Sequence, residues 1–269
     1  MKKILVVLNM VVAIMAVTIA PAFAAVEAQV RFVHASPDAP AVDVCVNGKV
    51  AFAALEFGKA TDYANLPAGT YDVQVYAAGS NCAGTPVIDA KGLKLDAKAY
   101  TVLATGKLAE IKPVILVDNL TKPAAGKVHV RFVHASPDAP AVDITTKDGT
   151  KVFPNVAFGK ATAFTPLAAG TYDLQARVAG TDNVALDLPG VNLPEGAILT
   201  VVAEGFVGGA DPKLGVQVIA YPAAAAAPAT LPVTGGETGN YSGLSWMAAG
   251  VIFIALGLGW RYARRQSRS

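Results

Sequence analysis

Apolar and polar residues alternate with a period of two along most of this chain. Val42, Val44 and Val46 alternate with Asp43, Cys45 and Asn47, and Tyr71, Val73 and Val75 with Asp72, Gln74 and Tyr76. That period predicts strands with one buried face. Gly, Pro and Asp recur between the strands. Asn47-Gly48 and Asp148-Gly149 predict tight hairpin turns, because both residues of each pair tolerate positive φ. Helical periodicity is absent outside the two ends, which are predominantly apolar runs, Ile4 to Ile19 (interrupted only by Asn9 and Thr18) and Leu244 to Trp260. The expectation for the body is all-β and antiparallel, folded as sandwiches.

The strand pattern occurs twice. Val30 to Asp43 reads VRFVHASPDAPAVD, and Val130 to Asp143 reads the same at all 14 positions. Phe57 to Thr61 (FGKAT) returns at Phe158 to Thr162, Ala68 to Asp72 (AGTYD) at Ala169 to Asp173, and Thr101-Val102 at Thr200-Val201. A period this long means tandem domains, each large enough for its own core. The expected bounds are residues 26–120 and 127–221, joined by a linker at 121–126.

Leu66 to Tyr71 resembles the turn-then-Tyr entry into a late strand of immunoglobulin-like and fibronectin-like sandwiches. In those domains a Tyr hydroxyl ties down a corner, and Tyr71 and Tyr172 are the candidates. VRFVHASPDAPAVDV followed by the AGTYD strand also resembles a bacterial extracytoplasmic family classed as a domain of unknown function, often in tandem in secreted and surface proteins. The resemblance covers both copies. It implies a β-sandwich and an exported location, and it brings no catalytic residues.

The apolar ends fit export and attachment. Lys2 and Lys3 precede Ile4 to Ile19, and Ala22-Phe23-Ala24 is a small-x-small cleavage site. Residues 1–24 therefore read as a signal peptide cut between Ala24 and Ala25, against the alternative of an uncleaved anchor. Residues 244–260 would span about 25 Å as a helix. That length suits a thin hydrocarbon core, with Trp246 and Trp260 near its interfaces. Arg261, Arg264, Arg265 and Arg268 follow, so the positive-inside rule leaves the body outside the membrane.

Leu231-Pro232-Val233-Thr234-Gly235, then the apolar stretch, then the basic tail, resembles the LPXTG sorting signal of Gram-positive-type bacteria. The resemblance implies a sortase whose Cys thiolate attacks the Thr234 carbonyl. A cell-wall amine then resolves the acyl-enzyme, with the cut between Thr234 and Gly235. The alternative is that residues 231–269 remain as a plain membrane anchor. Residues 222–230 (PAAAAAPAT) are a low-complexity spacer that sets the last domain back from the attachment point.

Composition changes once the ends are set aside. The whole chain carries 22 Lys and Arg, 20 Asp and Glu, and a net charge of +2. Leaving out Lys2, Lys3 and the four tail arginines gives 16 bases, and leaving out Glu237 gives 19 acids, a net of −3. A nucleic-acid partner needs a basic footprint, and the body has none. Both tryptophans lie in the C-terminal segment, which weakens a carbohydrate-binding reading that depends on flat exposed aromatics, although Tyr63, Tyr76 or Tyr100 could serve.

Three groups of residues carry candidate chemistry. Ser36, Asp38 and Asp43, with Ser136, Asp138 and Asp143, could offer oxygens to a cation or a sugar. Calcium needs six to eight oxygens, and Pro37 and Pro40 fix the backbone, so a rigid turn is the preferred reading of the repeated loop. His34 and His134 share a strand face with Phe32 and Phe132 and read as satisfied core residues. His129 and His134 point to opposite faces, so no zinc site is expected. Cys45 and Cys82 are the only cysteines and both lie in copy one, where copy two has Thr145 and Asn183. In an exported chain that argues for a disulfide. No cofactor, metal or catalytic residue is expected. The chain reads as a rod of two sandwiches, a surface-anchored structural or adhesive protein. The alternatives are a surface module binding a glycan or protein ligand through the SPDAP loops and, third, an extracellular enzyme.

Overall fold

The computed structural model describes residues 27–221. The signal cleavage site at Ala24 and Ala25, the sorting residues Leu231, Pro232, Thr234 and Gly235, and the span at 244–260 lie outside the described residues. Among those described, no helix is long and apolar enough to cross a membrane.

The described chain is all-β, with four sheets in two tandem halves. The first half contains β1 (Glu27–Ala35), β2 (Val42–Val46), β3 (Lys49–Leu55), β4 (Lys59–Ala60), β5 (Ala64–Pro67), β6 (Gly69–Ala77), β7 (Ile88–Leu95), β8 (Ala99–Thr105) and β9 (Lys112–Asp118). The second contains β10 (Lys127–His134), β11 (Val142–Thr146), β12 (Lys151–Val156), β13 (Thr165–Ala168), β14 (Gly170–Val178), β15 (Val184–Leu193), β16 (Ile198–Glu204) and β17 (Gly215–Tyr221). In the first half β4 and β5 flank β1, which continues to β8 and β9, while β3-β2-β6-β7 forms the facing sheet. The second half repeats this as β13-β10-β16-β17 over β12-β11-β14-β15.

Within each half the two sheets bury a core between them. Val30, Phe32, Tyr100 and Val102 meet Val44, Val73 and Leu95 in the first, and Val130, Phe132 and Leu199 meet Ile144, Phe153 and Leu193 in the second.

Three expectations are corrected. The sheets are not purely antiparallel: β1 pairs β8 in parallel, and β10 pairs β16 in parallel. Between those partners the chain makes a long excursion through the facing sheet, and such a connection permits a parallel return that a hairpin does not. Asn47 and Gly48 do both take positive φ (49° and 73°). At Asp148-Gly149 only Gly149 does (92°), because the loop runs from Thr146 to Thr150 and is held by the Thr150 amide bonding back to the Asp148 carboxylate.

The third correction concerns the strand faces and the rod. The first strands of the two halves, β1 and β10, are buried on both faces. Val30 and Phe32 enter the first core, while Val33 and Ala35 point the other way, onto Val133, Ala135, Ile198, Val202 and Ile219 of the second half. The halves are thus stacked sheet on sheet through β1-β8-β9 and β10-β16-β17, giving four layers instead of two bodies strung on residues 121–126.

Candidate functional site

The repeated segments fold onto one another. In each half the SPDAP loop leaves the end of the first strand, and the FGKAT segment lies beside it. The Gly58 amide donates to the His34 carbonyl (2.9 Å) and the Phe32 amide to Thr61 Oγ1 (3.0 Å). Gly159 with His134 (2.8 Å) and Phe132 with Thr162 (3.0 Å) repeat the pattern. Phe57 stands edge-on to the His34 ring, and Phe158 to His134.

His34 and His134 are buried, at 0% and 1% exposure. Each Nε2 lies 2.9 Å from a proline carbonyl, Pro40 O or Pro140 O, which can only accept, so Nε2 carries the proton. His34 Nδ1 accepts the Ser36 amide (3.3 Å). Burial holds both histidines below the ordinary imidazole value, opposed by the carbonyl bonds. They are neutral core residues that brace the loop.

The oxygens of the six predicted loop residues do not converge on one point, although Ser136 Oγ lies 3.3 Å from Asp138 Oδ1. Ser36 Oγ donates to Gly106 O and Ser136 Oγ to Gly205 O, each at 2.7 Å. Gly205 has φ +91°, and a Cβ there would stand 2.3 Å from the Lys213 carbonyl, so only glycine fits that approach. Asp38 accepts the Leu108 amide (2.7 Å), and Asp138 accepts the amides of Val207 and Gly208 (both 2.9 Å). Burial pushes the Asp138 carboxyl up, but these amides and the Ser136 hydroxyl outweigh it and hold it below the usual carboxylate value.

Asp43 and Asp143 sit apart, on β2 and β11. Asp43 accepts Ala54 N and Gly79 N (both 2.9 Å), and Asp143 accepts Asn155 N (2.7 Å) and Gly180 N (3.2 Å). Each of these four carboxylates therefore ties one backbone segment to another. Among the described residues, no group of three His, Cys, Asp or Glu side chains is placed to hold a metal ion.

Cys45 and Cys82 are joined in a disulfide. The Tyr71 hydroxyl donates to Pro67 O (2.6 Å) and Tyr172 to Ala168 O (2.9 Å), so both corner tyrosines reach back four residues.

Sequence reasoning missed the polar centre of the seam between the halves. Asp118 lies at its middle. Its Oδ1 accepts Arg131 Nη2 (2.7 Å), and its Oδ2 accepts the hydroxyls of Tyr63 and Thr101 (both 2.7 Å). Tyr221 OH accepts Arg131 Nη2 (2.8 Å) and lies within bonding distance of Thr101 and Thr200. The Arg31 guanidinium stacks 3.6 Å from the centre of the Tyr221 ring, and Arg131 lies 4.5 Å from that of Phe164.

Burial, together with the nearby Asp118 charge, raises the Tyr63 hydroxyl far above its ordinary value. Glu204, buried at the same seam, is pushed up to about 7 by burial. The available signal was an arginine at the same place in both copies, Arg31 between Val30 and Phe32 and Arg131 between Val130 and Phe132. A charge there marks a second face that is covered, not solvated.

A family model described as "Domain of unknown function (DUF4397)" matches residues 28–145 and 146–234. The division between the two matches falls inside β11, later than the break between the sheets of the two halves. No curated protein matches. A solved structure titled as a leucine-rich repeat protein from Bacteroides thetaiotaomicron is similar at 14% identity over 67% of this chain, with a TM-score of 0.17. This chain spans 26% of that protein's length, and the likeness carries no argument about fold or function.

Proposed function

We propose, from the premise that the chain belongs to the family described as Domain of unknown function (DUF4397), that it is an exported structural or adhesive protein of the cell surface. Its body is a pair of immunoglobulin-like or fibronectin-like sandwiches, carried to the envelope by the signal peptide and attached through the LPXTG-type element at Leu231 to Gly235. The observation that carries this reading is how the repeated motif is used. Asp38, Asp43, Asp138 and Asp143 each bond backbone amides that hold loops together, so the most strictly repeated residues act as architecture. The Cys45–Cys82 disulfide suggests an extracytoplasmic location.

Mass spectrometry of the protein extracted from cell walls tests the attachment. A mature chain ending at Thr234 is expected, and peptides from Tyr262 to Arg268 on the mature chain would count against a sortase. A pair of substitutions tests the architectural reading of the loop. Asp43→Ala removes a buried carboxylate that holds two backbone amides and is expected to lower stability by roughly 2–4 kcal/mol, against about 1 kcal/mol for the exposed, singly bonded Asp38→Ala. Urea unfolding measures both. Equal, negligible losses would return these carboxylates to the ligand-binding reading.

A further inference from the structure

The two halves differ where the first half has its disulfide. On the outer face of β11, Asp143 and Thr145 stand side by side, as Asp43 and Cys45 do on β2. Arg177 of β14 pairs with Asp143 across the ladder, and Lys151 of β12 pairs with Thr145, so a cation flanks this pair of positions from each side. The corresponding ladder positions of the first half are Tyr76 and Val50. Cys45 is bonded to Cys82 there, in the loop at 78–87, whereas the shorter loop at 179–183 of the second half has no cysteine and its Val178 amide donates to the Asn183 carbonyl (2.9 Å). Three ladder positions thus differ together: Cys45, Tyr76 and Val50 of the first half are Thr145, Arg177 and Lys151 in the second.

The result is a cleft of about 220 Å³ lined by Asp143, Thr145, Lys151, Arg177, Thr181 and Asp182, among others. A single water needs only roughly 10–15 Å³ of such space. Its hydrogen-bonding capacity is unbalanced. The acceptors of Asp143 are occupied by Asn155 N, Gly180 N and Lys151 Nζ (2.8 Å). The donors are not. Lys151 is half-exposed and uses one of its three N–H groups.

Arg177 spends Nε and Nη2 on Gln175 Oε1 (3.1 and 2.7 Å), and its Nη1 reaches only Asp182, at 3.4 Å. The Asp182 side chain is fully exposed, so it is a weak and displaceable partner. Thr145 is 2% exposed, and its hydroxyl has no hydrogen-bond partner. A buried hydroxyl left unbonded at the wall of a polar cleft costs stability unless something fills the place.

We propose that this cleft binds the carboxylate of a small ligand. Arg177 Nη1 and Lys151 Nζ pair with its charge in the place Asp182 now touches, and the Thr145 hydroxyl donates to it or to an adjacent oxygen. A carboxylate only accepts, so it suits Arg177 Nη1 and Lys151 Nζ, whose present partners leave donors over, and it takes the place of the weakly held Asp182 carboxylate. The same chemistry is presented by an acidic sugar and by a free peptide C-terminus. The site goes beyond the structural reading above, whose tests, the cell-wall terminus and the Asp38 and Asp43 substitutions, do not involve this cleft.

Isothermal titration of the purified full-length chain separates the sources. The probes are sodium D-glucuronate with D-glucose as its neutral counterpart, and N-acetyl-alanyl-alanine with its C-terminal amide. Saturable binding of at least one carboxylate is expected at millimolar concentrations or below, with its neutral counterpart at least tenfold weaker. Arg177→Ala and Lys151→Ala are each expected to weaken binding about tenfold, as befits a charge-assisted hydrogen bond. Thr145→Val keeps the shape and removes the unpartnered hydroxyl, so it is expected to weaken binding several-fold while the melting temperature does not fall. Failure of both carboxylates to saturate, equal binding of a carboxylate and its neutral counterpart, or unchanged affinity in Arg177→Ala and Lys151→Ala would overturn the proposal.

Discussion

Glu204 is the side chain at which burial and charge conflict most directly. It is 6% exposed on the seam face of β16, and its Oε2 has no hydrogen-bond partner. A Cβ at Gly58 of the first half would lie 3.3 Å from its Oε1, so the two halves close over it. Burial lifts its pKa from 4.5 to about 7. The folded state therefore holds a proton that the unfolded chain releases above about 4.5. The associated stability is fully present below that pH and is lost as pH rises through about 7. His34 and His134 act in the opposite sense. Their folded values lie below 6.5, so their contribution is present above 6.5 and is lost as pH falls. Glu204→Gln keeps the shape and removes the titration. Between pH 5 and pH 8 it should gain stability over the parent by on the order of 3 kcal/mol. Urea unfolding at the two pH values measures this, and parallel pH profiles for the two proteins would refute it.

At the scale of elements, the strands and their corners were legible because their signals are local. Val42, Val44 and Val46 announce β2, Asn47-Gly48 announces the turn that follows it, and Tyr71 and Tyr172 announce corners whose hydroxyls bond four residues back. The parallel pairings were not legible, since no local period records which strand some 70 residues away lies alongside β1. The Cys45–Cys82 bridge was readable from the joint absence of both cysteines in copy two. The cleft left in its place was not, because Lys151 and Arg177 meet Thr145 only across the ladder. The bridge spans a sequence separation of 37 residues and links β2 to the loop after β6. Replacing both cysteines by serine is expected to lower the melting temperature, at a cost of roughly 2–4 kcal/mol. Calorimetry with and without a reductant measures it. A parent protein equally stable in reductant would show that the bridge adds nothing.

Across the whole described body, the seam determines whether two similar halves behave as one cooperative unit. Arg31 and Arg131 occupy equivalent places in the two copies, but their surroundings are not equivalent. By the strand register, Asp118 on β9 corresponds to Tyr221 on β17, since they pair with Ala99 and Ile198. Each half therefore gives the other what it lacks: Tyr221 receives Arg31 on its ring face, and Asp118 receives Arg131 in an ion pair. This exchange could not be read from the repeat, because identity between copies hides the positions where a pair must differ to fit. Both members of the ion pair are almost fully buried, with side-chain exposures of 3% and 0%. Asp118→Ala leaves the Arg131 guanidinium buried without its counter-charge, at a cost of about 3–5 kcal/mol. Because the loss falls at the seam, the single calorimetric transition expected of the parent should split into two. Replacing both partners, Asp118→Leu with Arg131→Met, removes the stranded charge and should recover most of the stability. A double variant as unstable as Asp118→Ala would show that the cost comes from packing or from the Tyr63 and Thr101 hydroxyls left behind, and not from the charge.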